Sequence, residues 1–324
     1  VHARSWSFAL FDGYCVSLYT WPSGVIARPG TRHYGCSEHS MFQGRQFSRV
    51  GQTVGKRYRL LAELGSGGQG TVFRAVDLQN GDEVAVKVVE PDHHDSEWRE
   101  RTFREAHALT VLTGTAAVRV LHQAWADDGA FCLVMELLHG TDLDNYLVGR
   151  ESQGTKQDAP QLLQLILPVV ETLELAHNAG ILHRDIKPSN VFILDDGQVR
   201  LLDFGFAKFT RMRAVTRAGM AAGSPSYIAP EIWQDVSPLD QRIDVYSLGA
   251  VLFRALAGSP PFVSENLSEL LLLTTTAPRP SLHRLRPDLS PRIDDWVEHA
   301  LAIAPRDRFS GVRALYNVFA STCQ

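Results

Sequence analysis

Residues 181–194 read ILHRDIKPSNVFIL, a polar loop held between two apolar runs. Asp185 and Asn190 stand five positions apart inside it, with Lys187 and Pro188 between them. An acid, a cation and an amide so close to buried elements are costly unless each meets a partner. Downstream, VRLLDFG (199–205) reads as a further apolar strand that ends on Asp203. Upstream, PQLLQLILPVVETLELAHNAG (160–180) has apolar residues at 162, 165, 166, 169, 170 and 173, one face of a helix that stops at Gly180. Pro168 inside it predicts a local kink.

Further out, the chain changes character. RYRLLAEL (57–64), GTVFRAVDL (70–78) and EVAVKVVE (83–90) are short β-rich runs separated by Gly-rich and Asn-Gly-Asp turns, and they read as antiparallel strands. SEWRERTFREAHALTVL (96–112) follows as a helix opened by Ser96, and AFCLVMELL (130–138) as a buried strand. After Thr141 the pattern is mainly helical. DVYSLGAVLFRALAG (244–258) is apolar nearly all round and reads as a central buried helix, while PRIDDWVEHALA and SGVRALYNVFAS are amphipathic. A small β-rich lobe therefore precedes a larger helical one, and the cleft between lobes is a natural ligand site.

LGSGGQGTV (64–72) sets Gly65, Gly67 and Gly70 in GxGxxG spacing. A dinucleotide fingerprint runs from strand into helix, but here a strand follows. In a strand–turn–strand hairpin such glycines let backbone N–H groups approach a polyphosphate. Lys87 ends the apolar VAVK strand, where a cation needs an anion. Glu105 on the next helix, with Phe103, Ala106 and Leu109 turned inward beside it, can pair with Lys87 and orient the ammonium onto phosphates. Phosphoryl transfer also needs an acceptor for the attacking hydroxyl and hard oxygens for Mg²⁺. Asp185 can accept the proton, Asn190 and Asp203 can hold the metal, and Lys187 can offset charge on the group in transfer.

Together, GSGGQG, VAVK, the Glu105 helix, HRDIKPSN, DFG, APE (229–231), DVYSLG and a late Arg308 in RDRFS resemble the eukaryotic-type (Hanks-type) serine/threonine protein kinases, in a bacterial-like style. The resemblance implies an α+β, protein-kinase-like bilobal fold over 54–321, with a small β-rich N-lobe (about 54–138) and a larger α-helical C-lobe (about 139–321). It implies ATP and Mg²⁺ as cofactors and transfer of the γ-phosphate to Ser/Thr hydroxyls of protein substrates. It implies that Asp244 braces the catalytic loop and that Glu231 pairs with Arg308. Leu64, Val72, Ala85 and Phe192 would enclose adenine, with Met135 as gatekeeper and the backbone of Glu136 and Leu138 as hinge. Lys187, two after the base, is the Ser/Thr-type residue; Ser224 stands where Thr is commoner in that group. Arg184 is a cation that a phosphorylated activation loop could satisfy. Of Thr210, Thr216, Ser224 and Ser226 in that loop, Thr216 is the expected autophosphorylation site, and the neighbouring basic residues read as a solvated face. A pseudokinase would lack the Lys, the base or a metal ligand, and none is missing. A small-molecule phosphotransferase usually lacks the APE segment.

Composition bounds the rest. The 324 residues are 44% hydrophobic and 21% charged, as in ordinary globular chains, and the net charge of −4 gives no global reason to expect nucleic acid. Cys15, Cys36, Cys132 and Cys323 have no CxxC spacing, which speaks against a zinc site and fits a reducing, cytoplasmic setting. No run approaches the ~18 apolar residues of a membrane helix, and SFALFDGYCVSLYTW (7–21) is broken by Asp12. Residues 1–53 begin with Val, show no sustained period, and read as a flexible tail or a misplaced start, with a small docking or regulatory segment as the alternative.

Overall fold

A computed structural model describes residues 8–11, 14–17, 49–67, 70–91, 98–204, 225–234 and 238–323. The chain divides into two compact units, Val1–Phe47 and Ser48–Gln324. In the first, β1 (Phe8–Phe11) and β2 (Tyr14–Ser17) pair antiparallel with Phe11 opposite Tyr14. The sequence reading expected no regular element here. The Asp12-Gly13 dipeptide in the sequence is a strong two-residue hairpin signal that has no period to mark it.

In the second unit, β3 (Thr53–Val54), β4 (Tyr58–Gly67), β5 (Gly70–Asp77), β6 (Glu83–Val89), β7 (Val120–Trp125) and β8 (Phe131–Glu136) form an antiparallel sheet in the order β3-β4-β5-β6-β8-β7. Side chains alternate across a strand. Val84, Val86 and Val88 therefore enter one apolar cluster with Leu60, Phe73 and Val134, while Ala85 joins Leu133 and Met135 on the opposite face. Lys87 falls on that second face by the same alternation. Both faces are covered, which is why EVAVKVV is apolar at every position but Glu83 and Lys87.

Helix α1 (Trp98–Ala108) packs on the second face through Trp98 and Ala106. Among its described residues the buried ones are Trp98, Thr102 and Ala106, at i, i+4 and i+8. Phe103 was expected to point inward but is 49% exposed and stacks on His107. It lies about 100° round the helix from Thr102, so the sheet cannot cover both.

The chain then crosses to β9 (Gly140–Asp142), which pairs with β10 (Val191–Leu194); β10 pairs in turn with β11 (Val199–Leu201). Helix α2 (Leu143–Ser152) opens on the Asp142 side chain, and α3 (Ala159–Asn178) on Asp158. The α3 helix runs through Pro168 as one element, and the Thr172 hydroxyl donates to the Pro168 carbonyl at 2.8 Å. The remaining helices are α4 (Pro230–Trp233), α5 (Arg242–Ala257), α6 (Leu267–Thr276), α7 (Leu282–Leu285), α8 (Ile293–Ala300) and α9 (Val312–Thr322). Every residue of α5 from Ile243 to Leu256 is buried, as its all-round apolar sequence requires. The large-lobe core gathers α3, α5, α8 and α9 and continues through Ile186, Val191, Leu201 and Phe204, so the polar loop sits directly on packed apolar side chains. Among the described residues, no helix is long and apolar enough to cross a membrane.

Candidate active site

Residues 181–187 have no regular secondary structure, and Pro188–Asn190 make a single turn of 3-10 helix before β10. A buried loop must find its backbone partners elsewhere. Asp244, fully buried at the start of α5, supplies them. Its Oδ2 accepts from the His183 N–H and from His177 Nε2, each at 2.8 Å, and its Oδ1 accepts from the Arg184 N–H at 2.8 Å. Burial alone would raise this carboxyl, but the bond from His177, the nearby imidazoles and the His183 N–H hold it below the usual carboxylate range. Arg184 has φ +66°, in the left-handed region. Such strain costs on the order of 1–3 kcal/mol and persists only where neighbours enforce it. Here the two N–H bonds to one carboxylate do so.

His183 is fully buried, and burial pushes its imidazole below the usual value, so the ring is neutral at pH 7. Its Nε2 lies 2.9 Å from the Leu202 carbonyl, and the Asp185 N–H lies 3.3 Å from its Nδ1. A carbonyl can only accept, so the single ring proton is on Nε2 and Nδ1 accepts from Asp185. The ring also packs on Phe204, 4.6 Å between centroids. His183 thereby joins the backbone at Asp185 to the backbone just before Asp203. The Leu202 N–H adds a parallel bond to the Asn190 carbonyl at 2.8 Å.

On this frame the polar side chains converge. Asp185 Oδ2 lies 3.1 Å from Lys187 Nζ and accepts from Asn190 Nδ2 at 3.2 Å. Asn190 Nδ2 also donates to the Asp185 carbonyl at 2.7 Å. With the amide nitrogen committed to the loop, the amide oxygen is the atom Asn190 offers to a cation. Lys87 is 3% exposed, and its Nζ donates to Asp203 Oδ1 at 2.7 Å. Asp203, like Arg184, has a positive φ, +53°. Among the described residues no three His, Cys, Asp or Glu side chains form a metal cage. An amide oxygen and one carboxylate fit Mg²⁺, which is commonly held by one or two carboxylates together with substrate phosphates.

The glycine hairpin is β4 turning into β5, with Gly67 opposite Gly70. Gly70 has φ +124°, and a Cβ there would meet the Val88 carbonyl oxygen at 2.3 Å. A Cβ at Gly65 or Gly67 would meet no atom of the described residues within 4 Å. Packing therefore demands glycine at 70 only, and the open space above 65 and 67 is a cradle that a polyphosphate can fill. Gly70→Ala is expected to destabilise the fold by more than about 1 kcal/mol. Gly67→Ala should leave the melting temperature nearly unchanged and weaken nucleotide binding. Thermal melts with and without Mg-ATP check both.

Val72 lies opposite Lys87, and Ala85 opposite Met135, in sheet register. These side chains share the face on which Lys87 meets Asp203. Leu64 is 54% exposed at the edge of the hairpin, Leu138 is half-buried between β8 and β9, and half-buried Phe192 sits on β10 opposite Asp142 and Arg200. Below the site, Arg308 grips Glu231 with two bonds of 2.7 Å. Glu105 lies on α1, but its side chain, and with it the expected pair with Lys87, lies outside the described residues. So do Ser96, Gly205, Thr210, Thr216 and Ser224.

Three contributors were not singled out from the sequence as site residues: His177, the ring of His183, and Arg200. Their partners are remote in the chain. His177 bonds Asp244, 67 residues away, and Arg200 bonds Glu136, 64 residues away. The available signal was His177 at the end of the helix that feeds the loop.

The chain is similar to known proteins over most of its length. The family model described as protein kinase domain matches residues 58–320. Serine/threonine-protein kinase PknA of Mycobacterium tuberculosis is 36% identical over 270 residues, which is 81% of this chain and 60% of PknA. Serine/threonine-protein kinase pkn3 of Myxococcus xanthus is 34% identical over 279 residues, 82% of this chain and 50% of pkn3. The chain thus spans 60% or less of the length of these two relatives. The crystal structure of the M. tuberculosis PknI kinase domain superposes with a TM-score of 0.65 at 27% identity, over 84% of this chain and 98% of that one.

Proposed function

Since the chain belongs to the protein kinase domain family, we propose that it transfers the γ-phosphate of Mg-ATP to Ser and Thr hydroxyls of proteins. The observation that carries this reading is the meeting of Asp185, Lys187 and Asn190 on one braced loop, with Asp203 held by Lys87 at 2.7 Å. Lys187 and the names of the matched relatives favour Ser/Thr over Tyr.

In this reading Asp185 orients the incoming hydroxyl and receives its proton. Its Oδ2 is positioned by Lys187 and Asn190, so the carboxylate needs little reorganisation as the reaction proceeds. Lys187 offsets the negative charge that builds on the moving phosphoryl group. Asn190 Oδ1 and the Asp203 carboxylate would hold Mg²⁺, which when bound neutralises phosphate oxygens. Lys87 keeps the Asp203 carboxylate aimed and is itself available to phosphate. Val72, Ala85, Phe192 and Leu64 would cover adenine, with the Glu136 and Leu138 backbone alongside. Use of ATP supports a cytoplasmic location.

The test is label transfer from Mg-ATP to the protein itself and to a generic basic protein. Transfer to Ser and Thr of the added protein is expected; no transfer under any magnesium concentration overturns the reading. Autophosphorylation is assigned to Thr216, with Arg184 to receive the phosphate. Mass spectrometry of active protein should find Thr216 modified, and active protein with Thr216 unmodified removes that part alone.

A further inference from the structure

Glu136 closes β8 at the hinge, and its carboxylate is engaged twice. Oε1 accepts from the Arg119 N–H at 2.8 Å and from Arg200 Nε at 3.2 Å. The backbone repeats the first tie, with Glu136 N–H donating to the Arg119 carbonyl at 3.0 Å. Arg200 lies on β11 directly opposite Phe192, so its side chain rises from the same face as a proposed adenine contact. Its Nη1 donates to the Val199 carbonyl at 3.1 Å. The pair is half-buried, with side chains 21% and 18% exposed, which shields it from the screening that makes surface pairs weak.

A second small-lobe segment is fastened to the same strand. The Val118 N–H donates to the Leu201 carbonyl at 2.9 Å, and the Leu201 N–H to the Ala116 carbonyl at 2.6 Å. The chain continues from Leu201 through Leu202 to Asp203. Glu136, Arg200, Met135, Asp203 and Phe204 also line one cavity of about 460 Å³. The hinge residue, the gatekeeper position and the carboxylate assigned to metal thus border one cavity, with β11 bonded to the first through Arg200 and leading into Asp203.

We infer that Arg200 is a positioning residue for the nucleotide. Through Glu136 it holds the hinge backbone beside the adenine seat, and through β11 it keeps that backbone in register with Asp203. The inference rests on the kinase reading above and adds a determinant of ATP affinity to it. Arg200 bonds Glu136, Gln198 and the Val199 carbonyl rather than Asp185, Lys187 or Asn190, so the chemical step itself should not depend on its charge. A displacement of the order of 1 Å at a bound substrate can cost ~10²-fold, so a smaller shift of the hinge should be measurable.

The experiment compares wild type with Arg200→Met, Arg200→Lys and Glu136→Gln in the full chain. ATP binding is measured by calorimetry with and without Mg²⁺, beside KM, kcat and thermal melts. Arg200→Met keeps the stem and leaves Glu136 bonded to the Arg119 N–H. It is expected to raise Kd and KM for ATP roughly tenfold with kcat within about twofold, the pattern of lost binding rather than lost chemistry. Arg200→Lys should restore part of the affinity. Glu136→Gln should weaken binding similarly, and the double variant Glu136→Gln/Arg200→Met no further than the worse single change. Unchanged ATP affinity in Arg200→Met, additive losses in the double variant, or losses that merely follow the melting temperature overturn the inference. A wild type that binds no ATP overturns the kinase reading itself, whereas a wild type and a variant that bind equally well overturn this inference alone.

Discussion

Asp185→Asn is expected to slow phosphate transfer by at least about 10³-fold, within the ~10²–10⁴ that a positioned base contributes. The substitution changes one atom and removes the site that would receive the hydroxyl proton. It preserves shape, and the amide oxygen can turn toward Lys187 Nζ and Asn190 Nδ2, which now lie 3.1 and 3.2 Å from Oδ2. The backbone bonds that shape the loop go through Asp244 and His183 and are untouched. Stability and ATP affinity should therefore stay close to wild type while the rate collapses. Single-turnover label transfer, with calorimetric ATP binding on the same sample, separates these quantities. A rate loss under about tenfold would show that Asp185 is not the proton acceptor.

The second large effect is on stability. Arg308 uses its whole guanidinium: two bonds to Glu231, and further bonds to the carbonyls of Ala302 at 2.8 Å, Arg242 at 2.9 Å and Ile303 at 3.0 Å. Both partners are buried. Arg308→Met strands the Glu231 carboxylate without its counter-charge, a change that typically costs about 3–5 kcal/mol. At roughly 2–4 °C per kcal/mol for a domain near this size, the melting temperature should fall by on the order of 10 °C. Adding Glu231→Gln should recover part of the loss, because the stranded charge is gone. Recovery should be incomplete, since three carbonyls still lack the donors that Arg308 gave them. A fall of less than about 1 kcal/mol for the single variant would mean that the pair does not hold α4 to the lower lobe as drawn.

The site was legible in the sequence to the extent that it is local. Asp185, Lys187 and Asn190 fall within one loop, and Gly65, Gly67 and Gly70 within one hairpin, so spacing alone placed each group. The strands around Lys87 and the buried α5 were equally readable, because alternation and all-round apolarity are properties of short windows. Phe103 was misplaced because two phases of α1 looked apolar enough, and only the sheet beneath it selects Trp98, Thr102 and Ala106. The paired strands 8–11 and 14–17 were not legible because runs of four residues are too short to show a period.

Burial decided the protonation of His183, and the bonds from His177 and the His183 N–H held the Asp244 carboxylate ionised against its burial; no residue count along the chain carries that information. Sequence by itself determined which elements form and which acids, amides and cations stand at their ends, because helix and strand periods and turn chemistry act over a few residues. Tertiary structure alone decided that His177 meets Asp244, that Arg200 meets Glu136, and that Lys87 lies 2.7 Å from Asp203, 116 residues further on. Those contacts depend on where packed lobes bring remote strands, and that is set by the summed burial of the core rather than by any segment that supplies the side chains.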